Sequence, residues 1–146
     1  MRETAELLKQ FGVSYDMTIT SAHRTPDRTE KLIKAFEANG GEVFIAGAGS
    51  AAHLAGVIAA RTILPVIGVP IASSPLQGWD ALLATVQMPK GVPVATMAMG
   101  KAGAKNAGVF AAQIIARKDP KLAKQLIAYK EEMEKTVIAD AEQMET

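Results

Sequence analysis

The chain has 146 residues, is 49% hydrophobic, carries a net charge of +1 and contains no cysteine. The near-neutral charge argues against a nucleic-acid surface, and the lack of cysteine excludes disulfides and thiolate metal sites. Gly, Pro, His or Arg interrupts every apolar run before it reaches the roughly 18 residues of a membrane span. No signal peptide is visible, because the chain opens directly into a helical pattern. We therefore expect one domain over residues 1–146, in a cytoplasmic, oligomeric enzyme or binding protein.

Strand and helix patterns alternate along the chain. The predicted order is helix 1–11, strand 13–20, helix 27–39, strand 43–46, helix 54–62, strand 66–69, helix 79–86, strand 92–97, helix 103–117 and a long last helix, 121–142. This alternation is typical of an α/β fold with a parallel sheet and right-handed crossovers. An opening helix is unusual, since such domains normally begin with a strand. The last helix is charged, and the sequence leaves open whether it packs on a neighbouring subunit or is solvated.

Residues 21–26, with the sequence Ser-Ala-His-Arg-Thr-Pro, lie between a predicted strand and a predicted helix. Open α/β sheets place their ligands at such junctions. Arg24 and the backbone N–H groups near the helix start can hold an anion while His23 moves a proton. The second of the two histidines, His53, also lies at a Gly-rich junction between strand and helix. His53 fits either a catalytic role or a helix-terminus residue that bonds backbone.

Four loops follow predicted strands and should meet at one edge of the sheet, because parallel strands end on the same side. These loops are 21–26, 47–53, 71–78 and 97–103. The small residues of the second loop allow a ligand to approach the backbone, and tight packing explains them equally well. The sequence lacks a metal-binding His-Glu spacing, a phosphate-loop Gly-Lys-Ser/Thr, a complete dinucleotide fingerprint and a nucleophile elbow. Of the chemistries considered, the one that the sequence still supports is proton transfer by one His on a small anionic substrate.

Four segments together carry a specific resemblance: residues 21–26, 46–54, 64–70 and 86–96. In order and spacing they closely resemble N5-carboxyaminoimidazole ribonucleotide mutase, the class I phosphoribosylaminoimidazole carboxylase catalytic subunit. The resemblance extends from residue 1 to about residue 116. It implies a three-layer α/β/α sandwich with a parallel, flavodoxin-like sheet, assembled as an octamer with sites at subunit contacts.

The resemblance implies an isomerase of de novo purine biosynthesis. Such an enzyme converts N5-carboxyaminoimidazole ribonucleotide to 4-carboxy-5-aminoimidazole ribonucleotide by decarboxylation and recarboxylation, with His acid/base catalysis. The resemblance implies no metal and no organic cofactor. It also implies a functional link to the ATP-dependent carboxyaminoimidazole ribonucleotide synthase, with neither nucleic acid nor a membrane as a partner.

The resemblance assigns roles to residues of two loops. His23 matches the general acid/base of the family, and Arg24 matches its phosphate ligand. The other implied substrate-binding residues are Ser21, Ala22, Gly49, Ala51, His53 and Leu54. Ser50 and Ala55 replace a Gly and a Pro that are usual in the family, and we expect the loop to keep its conformation despite both changes.

The chain departs from the family at its start. The family begins with a strand and a Gly-Ser-x-Ser-Asp-Trp loop that ends at a Met matching Met1. That loop supplies a serine for the phosphate and an aspartate for the ribose hydroxyls, so we expect an N-terminally truncated sequence whose own activity is in question. Two alternatives stay open: a class II, lyase-like aminoimidazole ribonucleotide carboxylase that uses CO₂ directly, and a non-catalytic nucleotide-binding subunit.

Overall fold

A computed structural model describes residues 1–144. In chain order, its elements are α1 (Arg2–Gln10), α2 (Pro26–Ala38), β1 (Phe44–Gly49), α3 (Leu54–Ala59), β2 (Val66–Ile71), α4 (Trp79–Val86), β3 (Ala95–Thr96), α5 (Gly100–Ala116) and α6 (Pro120–Met144). The described strands form one parallel sheet in the order β1-β2-β3. The predicted α/β class with a parallel sheet is confirmed.

Successive residues of the central strand β2 point to opposite faces of the sheet. Ile67 and Val69, which are 0% and 1% exposed, pack on the face covered by α1 and α5. Val66 packs on the other face with α2 and α3, and an added Cβ at Gly68 would meet Thr85 of α4. Full burial of a branched apolar side chain contributes about 1.5–3 kcal/mol. The sheet therefore lies between two helical layers, which confirms the predicted sandwich.

The last helix, α6, runs past the layered core. Oδ1 of Asp119 accepts hydrogen bonds from the N–H groups of Lys121 (2.9 Å) and Leu122 (3.1 Å), so it caps a helix that begins at Pro120. Leu122 is buried with residues of α1 and α5, whereas Val137 is 68% exposed. The prediction of a long C-terminal helix is confirmed. Over residues 1–144, no helix combines the length and apolar character needed to cross a membrane.

Residues 13–20 do not form the predicted strand. The alternation of apolar and polar residues is present, but Met17 and Ile19 are 59% and 89% exposed. A strand requires hydrogen bonds to a neighbour, and none of the described strands pairs with this segment. Arg28 of α2 holds it instead, since Nε donates to the Ile19 carbonyl (3.2 Å) and Nη2 donates to Thr18 Oγ1 (3.0 Å). The strand prediction is wrong at this segment.

The other differences concern where elements end. β3 covers two residues of the predicted strand 92–97, because a turn in which the Val92 N–H donates to the Pro89 carbonyl (3.2 Å) precedes it. β1 and β2 run farther than predicted, to Gly49 and Ile71. The predicted helices are confirmed with ends shifted by a few residues.

Gly103 lies at the closest backbone contact of α5. An added Cβ would overlap the carbonyl oxygen and carbon of Ala98, and this backbone cannot move aside as a side chain can. Gly103→Ala should therefore lower the free energy of unfolding by about 1–3 kcal/mol, as measured by urea denaturation. The matched control is Gly56→Ala in α3, whose Cβ would meet the end of the Met88 side chain at 3.1 Å. Equal stability of the two variants would contradict this packing.

Candidate active site

The two histidines of the chain lie in contact beyond the carboxyl end of β1. Nε2 of His23 is 2.8 Å from Nδ1 of His53, and the rings meet edge to face with centroids 4.8 Å apart. His23 comes from the turn before α2, and His53 occupies the N-cap position of α3. Two ring nitrogens at this distance share a hydrogen, so one ring donates while the other accepts. The histidine pair therefore holds one hydrogen between its rings.

A closed turn over residues 21–25 holds His23 in place. The N–H of Ser21 donates to Thr25 Oγ1 (2.9 Å), and the N–H of Thr25 donates back to the Ser21 carbonyl (3.0 Å). The N–H of Arg24 donates to Ser21 Oγ (3.2 Å), which leaves the hydroxyl proton of Ser21 available to a ligand. Because both ends of the turn are tied together, His23 projects from a short and well-connected piece of backbone.

The loop after β1 packs tightly on the loop after β2. An added Cβ at Gly49 would overlap Ser73 Oγ and lie 2.8 Å from the Ile71 carbonyl oxygen, so a side chain does not fit there. The next residue, Ser50, has a φ of 54°, in the left-handed region that glycine favours. The same loop carries His53, whose ring contacts His23.

Contacts join all four loops that follow the predicted strands. The histidine pair joins the first loop to the second, and Gly49 with Ser73 joins the second to the third. An added Cβ at Gly78 would lie 2.9 Å from Met99 Sδ, so the third loop touches the fourth. The prediction that these loops meet at one edge of the sheet is confirmed.

Arg24 places a positive charge beside the histidine pair. Among residues 1–144, its guanidinium has no hydrogen-bond or ion-pair partner, whereas Arg28 is bound to residues 18–19. Glu30 of α2 pairs with Lys34 at 2.6 Å, whose hydrogen bond and charge lower the pKa of that carboxyl. An exposed, unpaired guanidinium is suited to bind an anionic group of a ligand.

One chain leaves this edge of the sheet open. Four residues of the predicted site are exposed, namely His23, Arg24, Ala51 and His53. The other four are half-buried, namely Ser21, Ala22, Gly49 and Leu54. A groove of about 420 Å³ lies elsewhere, between α1 and α6 beside Phe11 and Tyr129. The histidine pair is therefore not enclosed by its own chain.

The side chains of residues 1–144 include no group of three or more His, Cys, Asp or Glu placed to hold a metal ion. In the histidine pair, one nitrogen of each ring already faces the other ring at 2.8 Å. The expectation that the site needs neither metal nor organic cofactor stays a prediction.

Sequence reasoning missed the hydroxyl groups that support the turn. Thr20 Oγ1 lies 3.1 Å from Thr25 Oγ1 and 2.8 Å from Thr29 Oγ1. A signal was present, because Thr25 and Thr29 are four residues apart around a predicted helix start, where hydroxyl side chains often bond to local backbone. Ser73 was missed as well, because Ser74 is next to it and nothing in the sequence shows which of the two serines lies against Gly49.

Comparison with known proteins finds relatives along nearly the whole chain. A family model described as AIR carboxylase matches residues 1–136. The N5-carboxyaminoimidazole ribonucleotide mutase of Thermotoga maritima is 52% identical over 145 residues, which are 99% of this chain and 84% of that protein. The mutase of Bacillus subtilis is 48% identical over 144 residues, 99% of this chain and 89% of that one.

A solved structure matches the fold as well. The crystal structure of Treponema denticola PurE has a TM-score of 0.88 and 28% sequence identity, and the match covers 97% of this chain and 87% of that chain. The flavodoxin-like arrangement implied by the resemblance is thus confirmed, with the long C-terminal helix added to it. From the family model and the identities together, the chain belongs to the AIR carboxylase family.

Proposed function

We propose that the chain is an N5-carboxyaminoimidazole ribonucleotide mutase, an isomerase of de novo purine biosynthesis. The observation that carries this proposal is the contact of His23 with His53 at 2.8 Å, beside the unpaired Arg24. Relatives that are 48–52% identical bear this name. An imidazole can both give and take a proton near neutral pH, and a guanidinium is suited to a phosphate. Together these groups fit a small ribonucleotide that must gain and lose one proton.

His23 acts first as an acid and then as a base in this proposal. Its protonated ring donates to the exocyclic nitrogen as the nitrogen–carbon bond of the carbamate breaks, which releases CO₂ and aminoimidazole ribonucleotide. The ring carbon of that ribonucleotide forms a new bond to the CO₂. His23 then takes the proton that this ring carbon loses. The proton given in the first step is recovered in the last, so the reaction is a net isomerisation without a co-reactant.

The remaining site residues bind and orient the substrate. Arg24 holds the phosphate, while Ser21 and Ala22 line the ribonucleotide. Backbone of the loop after β1 approaches the migrating carboxylate, and the absence of a side chain at Gly49 keeps that loop tightly packed. The other residues assigned to this loop are Ala51, His53 and Leu54.

We also propose a cytoplasmic homo-octamer of one mutase-type domain per chain, with sites at subunit contacts. A CO₂ intermediate requires a closed site, and one chain leaves His23 and Arg24 exposed. Trp79 and Leu83 of α4 are 61% and 51% exposed, which fits a surface covered in an assembly. Light scattering of the purified protein measures the mass, and a monomer would contradict the octamer. The carbamate would be supplied by the ATP-dependent carboxyaminoimidazole ribonucleotide synthase.

Turnover of the carbamate ribonucleotide by the purified chain tests the function. Formation of 4-carboxy-5-aminoimidazole ribonucleotide without added bicarbonate would support the mutase. Formation of this product solely from aminoimidazole ribonucleotide and bicarbonate would instead assign the class II carboxylase. Binding of the ribonucleotides without turnover of either would favour the non-catalytic subunit.

A substitution of His53 tests whether this residue acts through its hydrogen bond to His23 or binds the substrate directly. His53→Ala should lower kcat about 10- to 100-fold, because it removes a hydrogen bond to a ring that becomes charged during the reaction. KM should change far less, as steady-state kinetics would show. A raised KM at unchanged kcat would instead place His53 directly on the substrate.

A further inference from the structure

We propose that Thr20 is a positioning residue for His23. Its hydroxyl joins Thr25 and Thr29 at the start of α2 and thereby fixes the turn that presents His23 to His53. The expected effect on turnover rests on the proposed function, whereas the expected effect on the histidine geometry does not.

The protons of the three hydroxyls can be assigned from their acceptors. Thr29 Oγ1 donates its single proton to the Thr25 carbonyl (3.1 Å), because a carbonyl can only accept. In the 2.8 Å contact of Thr20 with Thr29, the donor is therefore Thr20. Having used its own proton, Thr20 can only accept in its 3.1 Å contact with Thr25 Oγ1, whose single proton is shared with the Ser21 carbonyl at 3.2 Å. Thr20 thus lies between the other two hydroxyls of the network.

Thr25 connects this chain to the turn rather than to its own helix. Although Thr25 is the N-cap residue of α2, its side chain makes no capping hydrogen bond there. Instead, Oγ1 accepts from the Ser21 N–H (2.9 Å) and faces the Ser21 carbonyl (3.2 Å). A hydroxyl that served to stabilise α2 would bond to the first helical turn. The observed contacts bind the first residue of the turn that carries His23.

Thr29 anchors the network in the core. It is 1% exposed on a helix whose Ile33 packs against the sheet, so its position is set by the fold. Thr20 is half-buried, and Thr25 is exposed beside the histidine pair. The network therefore runs from the rigid core outward to the reacting edge. Removing the Thr20 hydroxyl leaves the Thr29 proton bonded to the Thr25 carbonyl, so no buried donor is orphaned and the fold should persist.

The test compares Thr20→Val with the wild-type protein by nitrogen NMR of the histidine rings and by steady-state kinetics. The chain contains two histidines, so each ring gives its own set of nitrogen signals. Thr20→Val should change the tautomer-sensitive signals of both rings. It should also lower kcat about 10- to 100-fold, the effect of misplacing a reacting group, while KM changes less than about threefold. Thr20→Ser, which keeps the hydroxyl, should restore both properties.

Thr18→Val is the matched control, since Thr18 lies in the same segment and its hydroxyl contacts Arg28 instead of the network. It should leave the ring signals and kcat unchanged. If Thr20→Val fails to fold, Thr20→Ala replaces it, because it also removes the hydroxyl that contacts Thr25 and Thr29. Unchanged ring signals in the folded variant would overturn the proposal, as would equal effects of Thr18→Val. Altered ring signals in a chain without turnover would support the positioning role while rejecting the proposed enzyme.

Discussion

His23→Asn should reduce turnover of the carbamate ribonucleotide by at least about 100-fold, and to no measurable rate if His23 supplies both proton transfers. Asparagine is smaller than the imidazole and fits the turn, but its amide lies at the position of Nδ1 and not of Nε2, the atom that faces His53. It cannot give and take a proton near neutral pH. The variant thus removes the proposed chemistry while leaving the turn and its contacts. Steady-state assays at saturating substrate measure the effect.

His23→Asn should retain its fold, since His23 is exposed and belongs to none of the core clusters. Circular dichroism and the thermal midpoint provide this control, together with the Kd for the product ribonucleotide. Retained product binding with lost turnover is the expected combination. Turnover within about twofold of wild type would instead remove His23 from the acid/base role.

Much of the fold could be predicted, because apolar residues at helical spacing indicate which face of a helix is buried. The predicted helix 79–86 matches α4 residue for residue, and in the structure it begins directly after Gly78, which has a positive φ. Residues 13–20 show the limit of this reasoning. Alternation of apolar and polar residues indicates which side chains would share a face of a strand. A strand also needs a neighbouring strand that forms hydrogen bonds with it. The exposure of Ile19 shows that none of the described residues covers the apolar face of this segment.

The site was predictable in outline because parallel strands end on one side of a sheet. Topology places the loop of His53 at this edge, because that loop follows β1. The turn of His23 follows none of the described strands, so the parallel-strand argument does not account for its position. The 2.8 Å contact between their rings was not predictable, because it depends on how closely the loops pack. That packing is set by details such as the overlap that a Cβ at Gly49 would have with Ser73, and local sequence patterns do not encode such distances.

Arg24→Ala should weaken binding of the ribonucleotide about 10- to 100-fold and change kcat much less. A charge-assisted hydrogen bond to an ionised group contributes about 1.5–3 kcal/mol, which corresponds to this range. Arg24 is available for that contact, because its guanidinium has no partner among residues 1–144. Isothermal titration with the product ribonucleotide gives Kd, and kinetics give the separate effects on KM and kcat.

Two further variants make the Arg24 prediction specific. Arg24→Lys should recover part of the affinity, since it keeps the charge but loses the planar fork that bonds two phosphate oxygens. Arg117→Ala is the matched control, because this exposed arginine follows the 17-residue helix α5, whose far end lies about 25 Å from the site edge. It removes an equal charge and should leave Kd unchanged. The wild-type affinity should also fall as salt screens the phosphate contact, and more steeply than that of Arg24→Ala. An unchanged Kd for Arg24→Ala, or equal losses for both alanine variants, would show that Arg24 does not contact the phosphate.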